Sequence, residues 1–186
     1  MDIILASNSP RRKEILGSLG VDFRVDTADV DENIGEKDPK VLAETLAKMK
    51  AQAVFNNNQN SVVIAGDTVV AIGDEILGKP CDRNDGKRML EMLSGNVHSV
   101  YSGYCVMGEG FAYSGYEKTD IEFDVMSEEE IEAYLDTNEY CDKAGAYAIQ
   151  GLAAKHIKGI KGCYYNVVGM PINAIYNVLK KVDNCL

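Results

Sequence analysis

Six residues near the N-terminus, Ser7-Asn8-Ser9-Pro10-Arg11-Arg12, gather two hydroxyls and two guanidiniums in a short stretch. Pro10 suits the first position of a helix, which makes Ser9 its natural cap, and the free N–H groups at such a helix end favour an anion. Adjacent guanidiniums add forked donors that grip phosphate oxygens. The chain has only five arginines, at 11, 12, 24, 83 and 88, and two of them stand here. A capped helix with two solvated arginines accounts for the same residues, so the local pattern leaves both readings open.

A second constellation centres on Ala65-Gly66-Asp67-Thr68, read as an acid placed immediately after a buried strand. Gly66 permits close approach of backbone or ligand, and an acid at a strand end can serve as general base or metal ligand. An Asp there is also an ordinary turn residue. Its company is Asp31-Glu32 in a loop, Lys48 and Lys50 on a helix, and Lys79 in Leu77-Gly78-Lys79-Pro80. Divalent cations such as Mg²⁺ are commonly held by one or two carboxylates plus substrate phosphates, so Glu32 and Asp67 could flank a metal-bound triphosphate. The lysines would neutralise charge developing on departing phosphates, although each taken singly reads as a solvated residue. His98 and His156 stand far apart with no partner motif and read as structural. No Gly-x-Ser-x-Gly elbow, P-loop or Gly-x-Gly-x-x-Gly fingerprint occurs, which lowers covalent catalysis and dinucleotide binding.

The elements that must position these groups follow from apolar periodicity. Asp2 to Ala6 reads as a buried strand, Pro10 to Leu19 as a helix ending near Gly20, and Asp38-Pro39 as the start of a helix with Leu42, Leu46, Met49 and Ala53 on one face. Ser61 to Ala65 reads as a buried strand. Val69 to Ile72 then turns at Gly73-Asp74 into Ile76-Leu77. A helix over Arg83 to Leu93 is followed by two long strands, Val97 to Met107 and Tyr113 to Val125. Ser127-Glu128-Glu129-Glu130 is a capping box. Lys155 to Lys158 and Tyr164 to Val168 are expected to form a hairpin, and Pro171 to open a last helix. Early alternation and late local pairing predict an α/β fold with a mixed sheet.

With 186 residues, 46% apolar and 26% charged, the chain has the make-up of a folded protein with a substantial core. A formal charge of −10 works against nucleic acid and anionic membrane as partners. The start MDIILASNSP lacks the basic region and long apolar run of a secretory leader, and five cysteines at 81, 105, 141, 163 and 185 form no Cys-x-x-Cys pair. A cytoplasmic location with unpaired thiols is the expectation.

Taken in series, Ser7 to Arg12, Gly66-Asp67-Thr68-Val69-Val70, Gly78-Lys79-Pro80, Asp142 to Gly151 and Val168-Gly169-Met170-Pro171 resemble the Maf family of nucleoside triphosphate pyrophosphatases. The resemblance spans residues 3 to 180 and implies one Maf-like domain over 1–186, with a Maf/ITPase-like, strongly twisted mixed sheet flanked by helices and two lobes around a substrate cleft. It implies hydrolysis of a nucleoside triphosphate to the monophosphate and pyrophosphate with a divalent metal cation, Mg²⁺ or Mn²⁺. Asp67 would be the proton acceptor. Ser7, Ser9, Arg11, Arg12, Lys50 and Lys79 would hold the phosphates, Glu32 and Asp67 the metal, and Arg11, Thr68 and Gln150 would discriminate substrates. Tyr147-Ala148-Ile149-Gln150-Gly151 looks like the branch acting on dTTP and UTP, with Ala148 where that branch usually has Gly. An amide at Gln150 suits the O4 and N3–H edge of uracil or thymine.

The rival readings are a 7-methyl-GTP pyrophosphatase of the same family and a non-catalytic nucleotide-binding regulator of septum formation. The expected partner is a nucleoside triphosphate, with no nucleic acid and no membrane; the oligomeric state is left open, a homodimer included. Residues 109 to 142 carry 12 acidic residues against one lysine, so the negative charge is concentrated outside the segments expected to grip phosphate.

Overall fold

The computed structural model describes residues 2–182, and Cys185 lies outside them. In chain order the elements are β1 (Ile3–Leu5), α1 (Pro10–Gly17), β2 (Arg24–Val25), α2 (Pro39–Phe55), β3 (Val62–Ile72), β4 (Glu75–Leu77), α3 (Arg83–Leu93), β5 (Val97–Gly108), β6 (Phe111–Phe123), α4 (Glu128–Leu135), β7 (Ile157–Lys161), α5 (Tyr164–Val168) and α6 (Ile172–Leu179). Among the described residues the strands form a seven-stranded sheet in the order β2-β1-β3-β5-β6-β7, with β4 on β3. β1 runs parallel to β2 and β3, whereas β4 and β7 are antiparallel to their neighbours. This is the mixed α/β sheet expected. The chain divides into two compact units: residues up to Thr68 with Ser102–Glu117 and those from Gly169 form the first, and Val69–Tyr101 with Lys118–Val168 the second.

In the first unit, α2 packs a face of small residues on the sheet. Ala43, Leu46, Ala47, Ala51 and Val54 are buried, and of the four positions expected to form the face only Leu46 is. The cause is close approach: a Cβ at Gly103 of β5 would overlap the Ala43 carbonyl and the Glu44 nitrogen. The alanines let the helix sit near that bare backbone, and Ala47, Ala51, Val54, Val63, Ala65, Cys105 and Met107 share its core.

β3 is also longer than expected. It runs unbroken through Gly66-Asp67-Thr68, so Asp67 stands inside a strand and not beyond its end. Gly66 serves packing there: an added Cβ would lie 3.3 Å from the Gly103 carbonyl oxygen and 3.7 Å from Arg12 Nε. The turn at Gly73 has φ 57° and sets Val70 opposite Leu77 and Ile72 opposite Glu75, as the Gly-Asp pair predicts.

The second unit packs α3, α4 and the following turns around Leu77, Leu90, Leu93, Ile121, Phe123, Leu135 and Tyr147. Ser127 and Glu130 form the expected reciprocal cap of α4. The expected hairpin between 155–158 and 164–168 does not form. β7 pairs with β6 instead, Ile160 opposite Ile121, and Tyr164–Val168 is a helical turn. Asn166 explains the turn: its fully buried Nδ2 donates to the Val100 carbonyl at 3.0 Å and to Thr119 Oγ1 at 2.8 Å. Cys81, Cys105, Cys141 and Cys163 are free thiols, and no helix among the described residues is long and apolar enough to cross a membrane.

Candidate active site

The first unit assembles most of the residues singled out above. Ser9 caps α1, its Oγ accepting from the Arg12 N–H at 3.5 Å, with Pro10 next as expected. Ser7 Oγ accepts from the Ser9 N–H at 3.2 Å and from Arg12 Nη1 at 3.3 Å. The Arg12 guanidinium then donates through Nε to the Gly169 carbonyl at 2.8 Å and through Nη2 to Thr68 Oγ1 at 3.2 Å. Thr68 Oγ1 in turn lies 2.8 Å from Ser102 Oγ. A single planar fork therefore ties the end of β1, the middle of β3 and the approach to α6 into one cationic floor. Burial pulls the Arg12 pKa down and Asp67 opposes it, while Arg11 adds to the lowering and Glu32 counters. Gly169, at φ 130°, lies in the backbone region that favours glycine.

Beside this floor, the Lys50 ammonium on α2 lies 2.5 Å from Asp67 Oδ1 and 2.7 Å from Glu32 Oε1. The Lys50 and Asp67 side chains are 18% and 12% exposed, whereas Glu32, on the loop before α2, is 58% exposed. Two carboxylates from distant segments thus converge on one cation. Removing one partner of such a covered pair leaves an uncompensated charge. Lys48 does not join them; it pairs with Glu44 one turn earlier at 2.7 Å. Arg11 is half-buried at the start of α1.

Among the described residues no three His, Cys, Asp or Glu side chains gather into a metal cage. The Glu32 and Asp67 pair nevertheless suits Mg²⁺ or Mn²⁺, hard cations bound by one or two carboxylates while phosphates and water complete the shell. The test of fit is their shared focus: both already point at one positive centre.

Lys79 and Gln150 belong to the second unit, both exposed. Their segments are joined, because the Gly145 N–H donates to the Gly78 carbonyl at 3.1 Å. His98 is buried, with Nε2 2.8 Å from the Tyr147 hydroxyl and its ring edge-on to Phe123; burial pushes its pKa down to about 4. His156 is buried as well. Ser102 was not singled out from the sequence. Its one signal was the small pair Ser102-Gly103 interrupting a run of larger residues in β5.

A family model described as Maf-like protein matches residues 2–182. A dTTP/UTP pyrophosphatase of Pyrococcus abyssi is 46% identical over 178 residues, covering 96% of this chain and 95% of that protein. A protein of the same name from Bacillus anthracis is 43% identical over 182 residues, covering 97% and 95%. Among solved structures, the Staphylococcus aureus Ham1 protein aligns with a TM-score of 0.47 at 17% identity, over 66% of this chain and 72% of that one.

Proposed function

The chain belongs to the Maf family, and from that premise we propose that it hydrolyses dTTP and UTP, with modified pyrimidine triphosphates as further candidates, to the monophosphate and pyrophosphate. The observation that carries the reading is the Lys50 ammonium joining Asp67 and Glu32 beside the Arg12 floor. Anionic substrate, divalent cation and acceptor of a proton each find matching chemistry within that group.

In the proposed reaction, water attacks the α-phosphorus. A new O–P bond forms, the bond from that phosphorus to the bridging oxygen breaks with its electron pair leaving on pyrophosphate, and Asp67 takes the water proton. Ser7, Ser9, Arg11, Arg12 and Lys50 hold the phosphates, using the helix end and fixed positive charge to favour the more negative transition state. Lys79 is assigned the same task and Arg11, Thr68 and Gln150 the choice of substrate. Glu32 and Asp67 would hold a divalent cation, which when bound neutralises phosphate charge and polarises the reacting centre. Lys50 keeps both carboxylates aimed before the cation arrives. A cytoplasmic location fits both a nucleoside triphosphate substrate and the four free thiols among the described residues.

The test is pyrophosphate release from a panel of triphosphates with Mg²⁺ or Mn²⁺. UTP and dTTP should lead; a faster rate on 7-methyl-GTP would replace the substrate assignment, and no release from any triphosphate would replace the enzymatic one.

A further inference from the structure

The segment bearing Gln150 is held from both sides by side chains of its own unit. Three residues before it, the Tyr147 hydroxyl meets His98 Nε2 at 2.8 Å, and the ring packs edge-on against Phe123. Just after it, the Leu152 N–H donates to the Glu139 carboxylate, at 3.0 Å to Oε2 and 3.2 Å to Oε1. Glu139 is not free to drift, because its Oε2 also accepts from the buried Tyr134 hydroxyl of α4 at 2.8 Å. Burial first and the acidic partner second push the Tyr134 pKa up, so that hydroxyl stays a donor.

Gly151 records how close this clamp is. A Cβ there would overlap the Glu139 carboxylate, although the glycine has an ordinary φ of −113°. Any side chain at position 151 would have to displace the Glu139 carboxylate, and no backbone strain is involved. A charged acceptor bonded to a backbone N–H is stronger than a neutral one, and here it fixes the chain two residues beyond an exposed amide.

We propose that Glu139 is a positioning residue for base selection: it ties the Gln150-Gly151-Leu152 backbone to α4 and so sets where the Gln150 amide meets the pyrimidine edge. This rests on the assignment of Gln150 to substrate discrimination. Glu139 touches no substrate in this scheme. A recognition amide carried on an untethered loop samples many positions, and displacement of about an ångström is enough to cost tenfold or more in a positioned reaction.

The experiment compares UTP with CTP, which differ on the edge an amide reads, in the full chain and in E139A, E139Q, Q150A and E139A/Q150A. For E139A, KM for UTP should rise about tenfold and the UTP-to-CTP ratio of kcat/KM should fall by a similar factor, with kcat changed much less. E139Q, which keeps one acceptor oxygen, should recover part of the ratio. In the Q150A background, adding E139A should alter the ratio by less than about twofold, the mark of two residues acting through one contact. A thermal melt of each variant separates loss of fold from loss of selectivity, and E139Q serves as the test if E139A does not fold. If Q150A lowers the ratio but neither Glu139 variant does, or if E139A lowers it equally with Gln150 absent, the inference is overturned and the Gln150 assignment stands. If Q150A leaves the ratio unchanged, the Gln150 assignment itself fails and takes this inference with it.

Discussion

The Lys50 ammonium sits 2.5 Å from Asp67 Oδ1, joining the interior of α2 to the interior of β3. An acid in mid-strand has its backbone locked by the ladder, so its carboxylate is aimed by the sheet and by one lysine. The same lysine reaches Glu32 at 2.7 Å. Asp67 is thereby both preorganised and covered, in keeping with the proton-acceptor role proposed for it.

Asp67→Asn keeps the shape and an oxygen to accept from Lys50 but removes the base. The turnover of UTP should fall by about 10²- to 10⁴-fold, the usual worth of a positioned general base. Far-ultraviolet circular dichroism should be unchanged. Turnover within threefold of the parent would remove Asp67 from the chemistry.

Chelation tests the reading of the Glu32 and Asp67 pair. EDTA should abolish pyrophosphate release, and Mg²⁺ or Mn²⁺ should restore it. Glu32→Gln should raise the cation concentration needed for half-maximal activity, with a smaller effect on fold because Glu32 is 58% exposed. Full activity in EDTA would contradict the metal assignment.

Gly103→Ala should destabilise the first unit strongly, because the added methyl overlaps the Ala43 carbonyl and backbone cannot step aside cheaply. Overpacking of this kind costs about 1–3 kcal/mol or more. Urea unfolding of parent and variant would show it as a lower midpoint; an unchanged midpoint would mean α2 can lift from the sheet.

The pH dependence of stability should carry a signature of His98. Its folded pKa is lowered from 6.5 to about 4 by burial. Between those values the unfolded chain binds a proton that the folded chain refuses, so the stabilisation is complete above pH 6.5 and is lost as pH falls towards 4. The linkage is worth at most about 3 kcal/mol. Unfolding free energies measured from pH 7 to pH 4 should therefore fall more steeply for the parent than for His98→Gln, and parallel curves would show that another group is responsible.

Local signals in the sequence determined the caps at Ser9, Asp38 and Ser127, the turn at Gly73, most strand and helix limits, and the motif series that marks the family. These are short-range: a hydroxyl capping a helix or a glycine at positive φ acts on its immediate neighbours. Tertiary structure decided the rest. The buried face of α2 is set by Gly103, about a third of the chain away, and periodicity that weighs bulk overlooks a face made of alanines. The placing of Asp67 inside β3, the pairing of β7 with β6, and the helical turn anchored by Asn166 all depend on which backbone lies alongside. So do the Arg12 bond to Gly169, 157 residues on, and the Glu139 clamp beside Gln150. A residue's type states what bonds it can make, but which bond it makes is decided by the partner that folding brings within about 3 Å.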